Sequence, residues 1–274
     1  MRARKQGCSE VPTEPDARMP RTISQIPGDI VIPEDAACVF VSGSLVAGWA
    51  HAASDIDLYV VTTAPAAVTR TATVRLGLTS HPLPVVVAFG TEEVRYDVEY
   101  WTTGQVDEML SAVQNAGSQG DALAAQLSYA DIDFFFRLSI GVAITGDEWL
   151  SEARRRLAHA ALPTILAGQH FQVADVFVED AIGLVEVCDQ ESAVLAAQAA
   201  LGHTVDGYLF AHGSFCPGVK WRYRKLIALP TGALSAEEYW RLETMRDLDP
   251  NNVRPWVEHV VETCQRLMLE VDFS

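Results

Sequence analysis

The sequence predicts an α+β protein, with a mixed sheet carrying helices on one side in the first part of the chain and an all-α helical bundle after it. Three observations predict it. Between about Ile23 and Trp101 the apolar residues fall in short β-branched runs broken by Gly, Pro and Ser. Beyond Thr103 they fall in long Ala- and Leu-rich segments with helical spacing. The length of 274 residues, with 49% hydrophobic and 20% charged, suits two ordinary globular domains rather than a disordered or fibrous chain.

The elements follow in order. Residues 1–20 are polar and proline-containing and read as a disordered tail. Strands are predicted at AACVFVS (36–42), DIDLYVVT (55–62), PVVVAFG (84–90) and EVRYDVEYW (93–101), and a short helix in SLVAGWAHAA between the first two. Helices are predicted over 105–116, 121–145, 147–160, 170–188, 190–211, 218–227, 235–246 and 253–271. The domain boundary is placed between about 103 and 121, at the linker NAGSQGD, with Asp121 as an N-cap. This gives a first domain over 21–110 and a second over 118–274, in which Phe134 to Phe136 and Leu138 pack inward.

Charge narrows the partners. Lys and Arg number 20 against 36 Asp and Glu, a net charge of −16, which repels a polyanion and favours a cationic small molecule. The 5 cysteines are odd in number, far apart and without a CxxC pair, so reduced thiols are expected. The start, MRARKQGCSEVPTEPDARMP, has a basic tip with no apolar run behind it, and no segment has the roughly 18 apolar residues of a membrane helix. The cytoplasm is the expected compartment.

The chemistry concentrates between Val39 and Val61. Side chains alternate along a strand, so Asp55 and Asp57 share one face, about 7 Å apart. Like charges so placed repel, and a divalent cation with oxygen ligands relieves them. The Gly43-Ser44 turn before them lets a ligand approach the backbone, and the helix that follows offers N–H groups to a phosphate. RYDVEYW adds Asp97 and Glu99, again on one face. Acids converging beside a phosphate cradle point to two-metal phosphoryl chemistry.

Gly43-Ser44, a spacer, Asp55-x-Asp57 and the later acidic strand with Arg95-Tyr96-Asp97 resemble the nucleotidyltransferase superfamily related to DNA polymerase β. The resemblance is strong over about 36–101 and extends to the small-molecule, antibiotic-modifying branch. It implies that Asp55, Asp57 and Asp97 hold two Mg²⁺ ions and that Glu99 is the general base. Ser42, Gly43 and Ser44 would cradle the phosphates of an NTP, most simply ATP. Lys220 and Arg224, in the basic run 220–225, would reach the triphosphate from the second domain, across a cleft. The implied reaction moves a nucleoside monophosphate to a hydroxyl of a small cationic acceptor such as an aminoglycoside, releasing pyrophosphate. Two alternatives stand beside it: an enzyme acting on tRNA, other nucleic acid or a protein, and a non-catalytic, antitoxin-like nucleotide-binding protein.

Other features read as structural. Gly43 and Gly48 have P-loop spacing, but Trp49-Ala50 stand where the essential Lys and hydroxyl would be. Arg154 to Arg156 read as a solvated helix face, and His203 and His212 as ordinary packed or surface histidines. Asp131 and Asp133 read as a solvated helix face, with an amine-binding role as the competing reading.

Overall fold

The structure, a computed structural model, describes residues 18–68, 72–79, 83–89, 94–116, 120–229 and 232–272. The chain divides into two compact units: Met1–Asn115 with Leu127–His159, and Ala116–Gln126 with Ala160–Ser274.

The first unit is built on a sheet of six strands: β1 (Ala36–Ser42), β2 (Ile56–Thr62), β3 (Ala72–Val74), β4 (Leu83–Phe89), β5 (Arg95–Thr102) and β6 (Val142–Thr145). Their order is β3-β4-β5-β2-β1-β6. Only β2 and β5 run parallel; every other neighbouring pair is antiparallel, so the predicted mixed sheet is present. Alternation along the two parallel strands sorts the side chains. Ile56, Leu58 and Val60 join Tyr96, Val98 and Tyr100 in one core, leaving Asp57, Tyr59, Asp97, Glu99 and Trp101 on the other face.

Several elements differ from the sequence-based expectation. The helix after β1 is a single turn, α1 (Gly43–Val46), because Gly48 takes a left-handed φ of 70° that ends it. The segment read as one helix over 121–145 is α3 (Gly120–Ala124), α4 (Tyr129–Ile140) and then β6. Ser128 starts α4 through a capping box with Asp131. Gly141 ends it, and the β-branched residues that follow pair with β1, whose edge would otherwise be bare.

That pairing also moves the domain boundary. The expected boundary near 103–121 would assign α4, β6 and α5 (Asp147–Ala158) to the helical domain, whereas they cluster with the sheet. Phe134 of α4 stacks on Trp101 at 3.7 Å between centroids, and Phe40 stacks on Tyr59 at 4.8 Å, so the aromatic run packs inward against the sheet rather than in a bundle. Arg156 ties α5 to α2 (Thr103–Gln114) through Asp107 and Ser111, and Arg154 donates to the Leu138 carbonyl at 3.0 Å. Of that trio only Arg155, paired with Glu152, has the exposed character expected of it.

Among its described residues the second unit is built of helices: α3, α6 (Leu162–Glu186), α7 (Gln190–Ala211), α8 (Arg222–Ala228), α9 (Ala236–Glu243) and α10 (Arg254–Glu270). Its core is the all-round apolar α7, with Leu201, Val205, Tyr208 and Leu209 packed among Val257, Val260, Cys264 and Leu267 of α10. Cys38, Cys216 and Cys264 are buried free thiols and Cys188 is an exposed one. Among the described residues no helix is long and apolar enough to cross a membrane. Of the expected tail over 1–20, residues 1–17 lie outside the described residues. Arg18 donates to the carbonyls of Ala52 and Ser54, so the chain is already held by such contacts ahead of Ile23. The side chain of Asp121, the expected N-cap, also lies outside them, and its backbone falls within α3 rather than ahead of it.

Candidate functional site

Backbone register builds the site. Asp57 on β2 stands opposite Ser42 on β1 and opposite Asp97 on β5, and Tyr59 stands opposite Glu99. In a parallel pair, residues in register present their side chains to the same face, so the two aspartates are neighbours. Asp55 lies just before β2, on the same edge. The sequence-predicted acids Asp55, Asp57, Asp97 and Glu99 are therefore brought together beside the Gly43-Ser44 turn.

Two arginines hold them. Arg95 contacts Asp55 and lies 3.4 Å from Asp97. Arg137, from the last turn of α4, reaches Asp57 Oδ2 at 2.6 Å through Nη1 and Asp133 at 3.1 Å through Nε. Gly43 makes this possible. It has a φ of 75°, and a Cβ there would lie 1.9 Å from both Arg137 Nη1 and Asp57 Oδ2, so only glycine fits under the pair. Ser42 is fully buried, and its hydroxyl donates to the Arg137 carbonyl at 2.7 Å. It locks α4 to the end of β1 and is not open to a phosphate, contrary to the expectation from sequence; Ser44, half-buried, remains so.

The electrostatics are under-compensated. Burial raises the pKa of Asp57, against the pull of Arg137, and burial raises that of Asp97, against Arg95. Burial likewise pushes Glu99 up to about 7, opposed by the Trp101 indole, which donates to Oε2 at 3.0 Å. Around Arg137 burial works against the charge, but Tyr59, Asp57 and Asp133 more than offset it and its pKa is raised. Asp97 Oδ1 is buried with no hydrogen-bond partner. A carboxylate oxygen left open beside two further aspartates suits a hard divalent cation such as Mg²⁺. Among the described residues, though, no group of three His, Cys, Asp or Glu is closed around one point, and Arg95 and Arg137 sit among the carboxylates.

Other sequence candidates fall elsewhere. Lys220 and Arg224 belong to the second unit, where they flank the Trp221 ring at 5.0 and 5.4 Å. Within the same basic run, Arg222 binds Asp206 through two hydrogen bonds of 2.9 and 2.6 Å, and the buried Lys225 donates to the Cys216 carbonyl at 2.8 Å. His203 does not meet His212; it pairs with His170, Nδ1 to Nδ1 at 3.3 Å. Asp131 is no solvated residue. It is fully buried, capping α4 and accepting from the backbone N–H of Gly77 at 2.8 Å. Sequence reasoning missed Arg137 and the site role of Asp133, although a lone cation in Phe-Phe-Phe-Arg-Leu, one turn after an aspartate, signals a buried ion pair.

No family model matches the chain and no curated protein matches it. Ten chains of known structure do. One, the crystal structure of a nucleotidyltransferase-like protein from Exiguobacterium sibiricum, is similar with a TM-score of 0.45 and 12% identity, covering 86% of this chain and 69% of that one.

Proposed function

We propose that the chain is a nucleotidyltransferase, moving a nucleoside monophosphate from an NTP, most simply ATP, to a hydroxyl of a small cationic molecule of the aminoglycoside kind. The observation that carries this reading is the in-register pairing of Asp57 with Asp97 beside the Gly43-Ser44 turn, with Asp55 and Glu99 on the same edge. Asp55, Asp57 and Asp97 would hold Mg²⁺, with Asp97 Oδ1 already free to take it. Bound there, Mg²⁺ would lower the pKa of the acceptor hydroxyl and neutralise charge developing at phosphorus.

The chain's own residues supply the rest. Glu99, whose pKa burial pushes up to about 7, is placed to take the acceptor's proton. Its Oε2 is held by Trp101, and Oε1 has no partner among the described residues. The acceptor oxygen bonds to the α-phosphorus, the bond from that phosphorus to the bridging oxygen breaks, and pyrophosphate leaves. Ser44 would hold the β and γ phosphates at the turn. The net charge of −16, with several carboxylates at the site itself, favours an amine-bearing acceptor over a polyanion.

A second reading, action on nucleic acid, draws on Lys220 and Arg224 around Trp221, a cationic and aromatic surface. RNA binding that weakens steeply with salt would favour it.

The test is pyrophosphate release by the purified protein with Mg²⁺, each of the four NTPs and a panel of cationic and neutral hydroxylated small molecules. We expect acceptor-dependent release that falls by roughly a hundredfold or more in Asp55→Asn/Asp57→Asn. NTP binding without release for any acceptor would overturn the small-molecule transferase.

A further inference from the structure

The space over Gly43 is already filled. A Cβ at that glycine would strike Arg137 Nη1 and Asp57 Oδ2 alike, so the guanidinium stands where a phosphate arriving at the turn would come. A triphosphate there faces Asp57, Asp97, Glu99 and Asp133, and a protein cation at the turn would add to what a divalent ion offsets. Arg95 is committed to Asp55 and Asp97. Arg137 is placed differently. The α4 backbone at Arg137 is pinned by the Ser42 hydroxyl, so any passage of the guanidinium from Asp57 to a phosphate would be a turn of the side chain rather than a shift of the helix. Nη1 is buried and held by Asp57 Oδ2 at 2.6 Å, the contact that an arriving phosphate would have to replace. The planar guanidinium fork that now meets the Asp57 carboxylate matches phosphate oxygens equally well.

We propose that Arg137 is the side chain that receives the nucleotide's phosphates at the Gly43-Ser44 turn, and that in leaving Asp57 to do so it frees that carboxylate for a divalent cation. This rests on the nucleotidyl-transfer reading and adds two properties to it. The leaving group is held from within the sheet unit. Phosphate and cation also assist each other, because each competes with the same ion pair, and such coupling is reciprocal.

Isothermal titration of inorganic pyrophosphate in EDTA isolates the phosphate arm, and Mn²⁺ binding followed by electron paramagnetic resonance without phosphate isolates the cation arm. Arg137→Gln should weaken pyrophosphate on the order of ten- to a hundredfold, the loss of a charge-assisted hydrogen bond, and should tighten Mn²⁺ several-fold because Asp57 is released. Arg137→Lys should fall between. Asp133→Asn leaves Arg137 in place with one anchor fewer, so pyrophosphate should bind it several-fold more tightly; this sign and the lysine variant decide the matter if Arg137→Gln does not fold. Pyrophosphate affinity unchanged by these substitutions would overturn the proposal and leave Arg137 a counter-ion of Asp57, with nucleotidyl transfer intact where ATP still binds with Mn²⁺. A wild-type protein that binds neither pyrophosphate nor ATP, with or without Mn²⁺, would overturn the transfer reading itself.

Discussion

Each unit buries a cluster of charge, and the two clusters are built on opposite terms. In the helical unit Asp206 is gripped by both ends of the Arg222 fork at 2.9 and 2.6 Å, while Lys225 stands 4.0 Å away and donates to the Cys216 carbonyl. One carboxylate meets two cations, and each of them is held by a hydrogen bond. In the sheet unit Asp55, Asp57, Asp97, Glu99 and Asp133 share Arg95 and Arg137. There the pKa values of Asp57, Asp97 and Glu99 are raised by burial, and Asp97 Oδ1 has no hydrogen-bond partner. A satisfied cluster holds a fold together. A cluster with excess negative charge and an orphaned oxygen has room for something else, which is why the second is read as the site.

The largest break in that contrast comes from Asp206→Ala. It strands Arg222 and the fully buried Lys225 without a counter-charge and should cost about 3 to 5 kcal/mol in urea unfolding. Replacing Lys225 by Met in the same chain should recover part of it, since the double variant buries less unpaired charge. A loss below about 1 kcal/mol would mean that the triad is not a structural keystone.

Gly43→Ala should come next, at about 3 kcal/mol. A left-handed φ costs an L-residue roughly 1 to 2 kcal/mol, and the new methyl must also push apart Arg137 and Asp57. The same change at Gly168, inside α6 with nothing within 4 Å of the place its methyl would take, should stabilise by about 0.5 to 1 kcal/mol. Thermal unfolding of the two variants measures the difference, and equal signs would refute the close-approach argument.

A smaller effect follows from the His170–His203 pair. Burial lowers the pKa of both rings, that of His170 to about 4, against an ordinary value near 6.5. Between those values the unfolded chain binds protons that the folded rings refuse. Stability from this pair is therefore fully present above about pH 6.5 and is lost as pH falls toward 4. The loss should be about 3 kcal/mol across that window, and His170→Gln should flatten it. Chemical denaturation at a series of pH values decides, and a slope unchanged in the variant would place the acid sensitivity elsewhere.

Much of the site is legible from spacing alone, because a strand's period of two is a local property. Asp55-x-Asp57 and Asp97-x-Glu99 have to share faces whatever the rest of the chain does, and Gly43 marks a backbone turn that no side chain can enter. The limits lie in what comes from far along the chain. Ser42 has the position of a phosphate ligand until the α4 carbonyl arrives to accept its hydroxyl. Asp131 and Asp133 have the pattern of a wet helix face, whereas one is buried as a cap and the other anchors Arg137. The segment 121–145 reads as one helix because its apolar content is nearly uniform, and only the open edge of β1 gives Val142–Thr145 a reason to extend.

The sequence by itself determined the mixed sheet, the helices of the second unit, and the alternation that lines acids along one edge. Those are outcomes of local periodicity and turn chemistry, which act over a few residues. Tertiary structure alone decided that β2 and β5 pair in parallel register, so that Asp57 meets Asp97, and that α4 delivers Arg137 onto Asp57. Both depend on which strand edge and which helix face meet after the chain closes loops of tens of residues, and no local pattern encodes that choice.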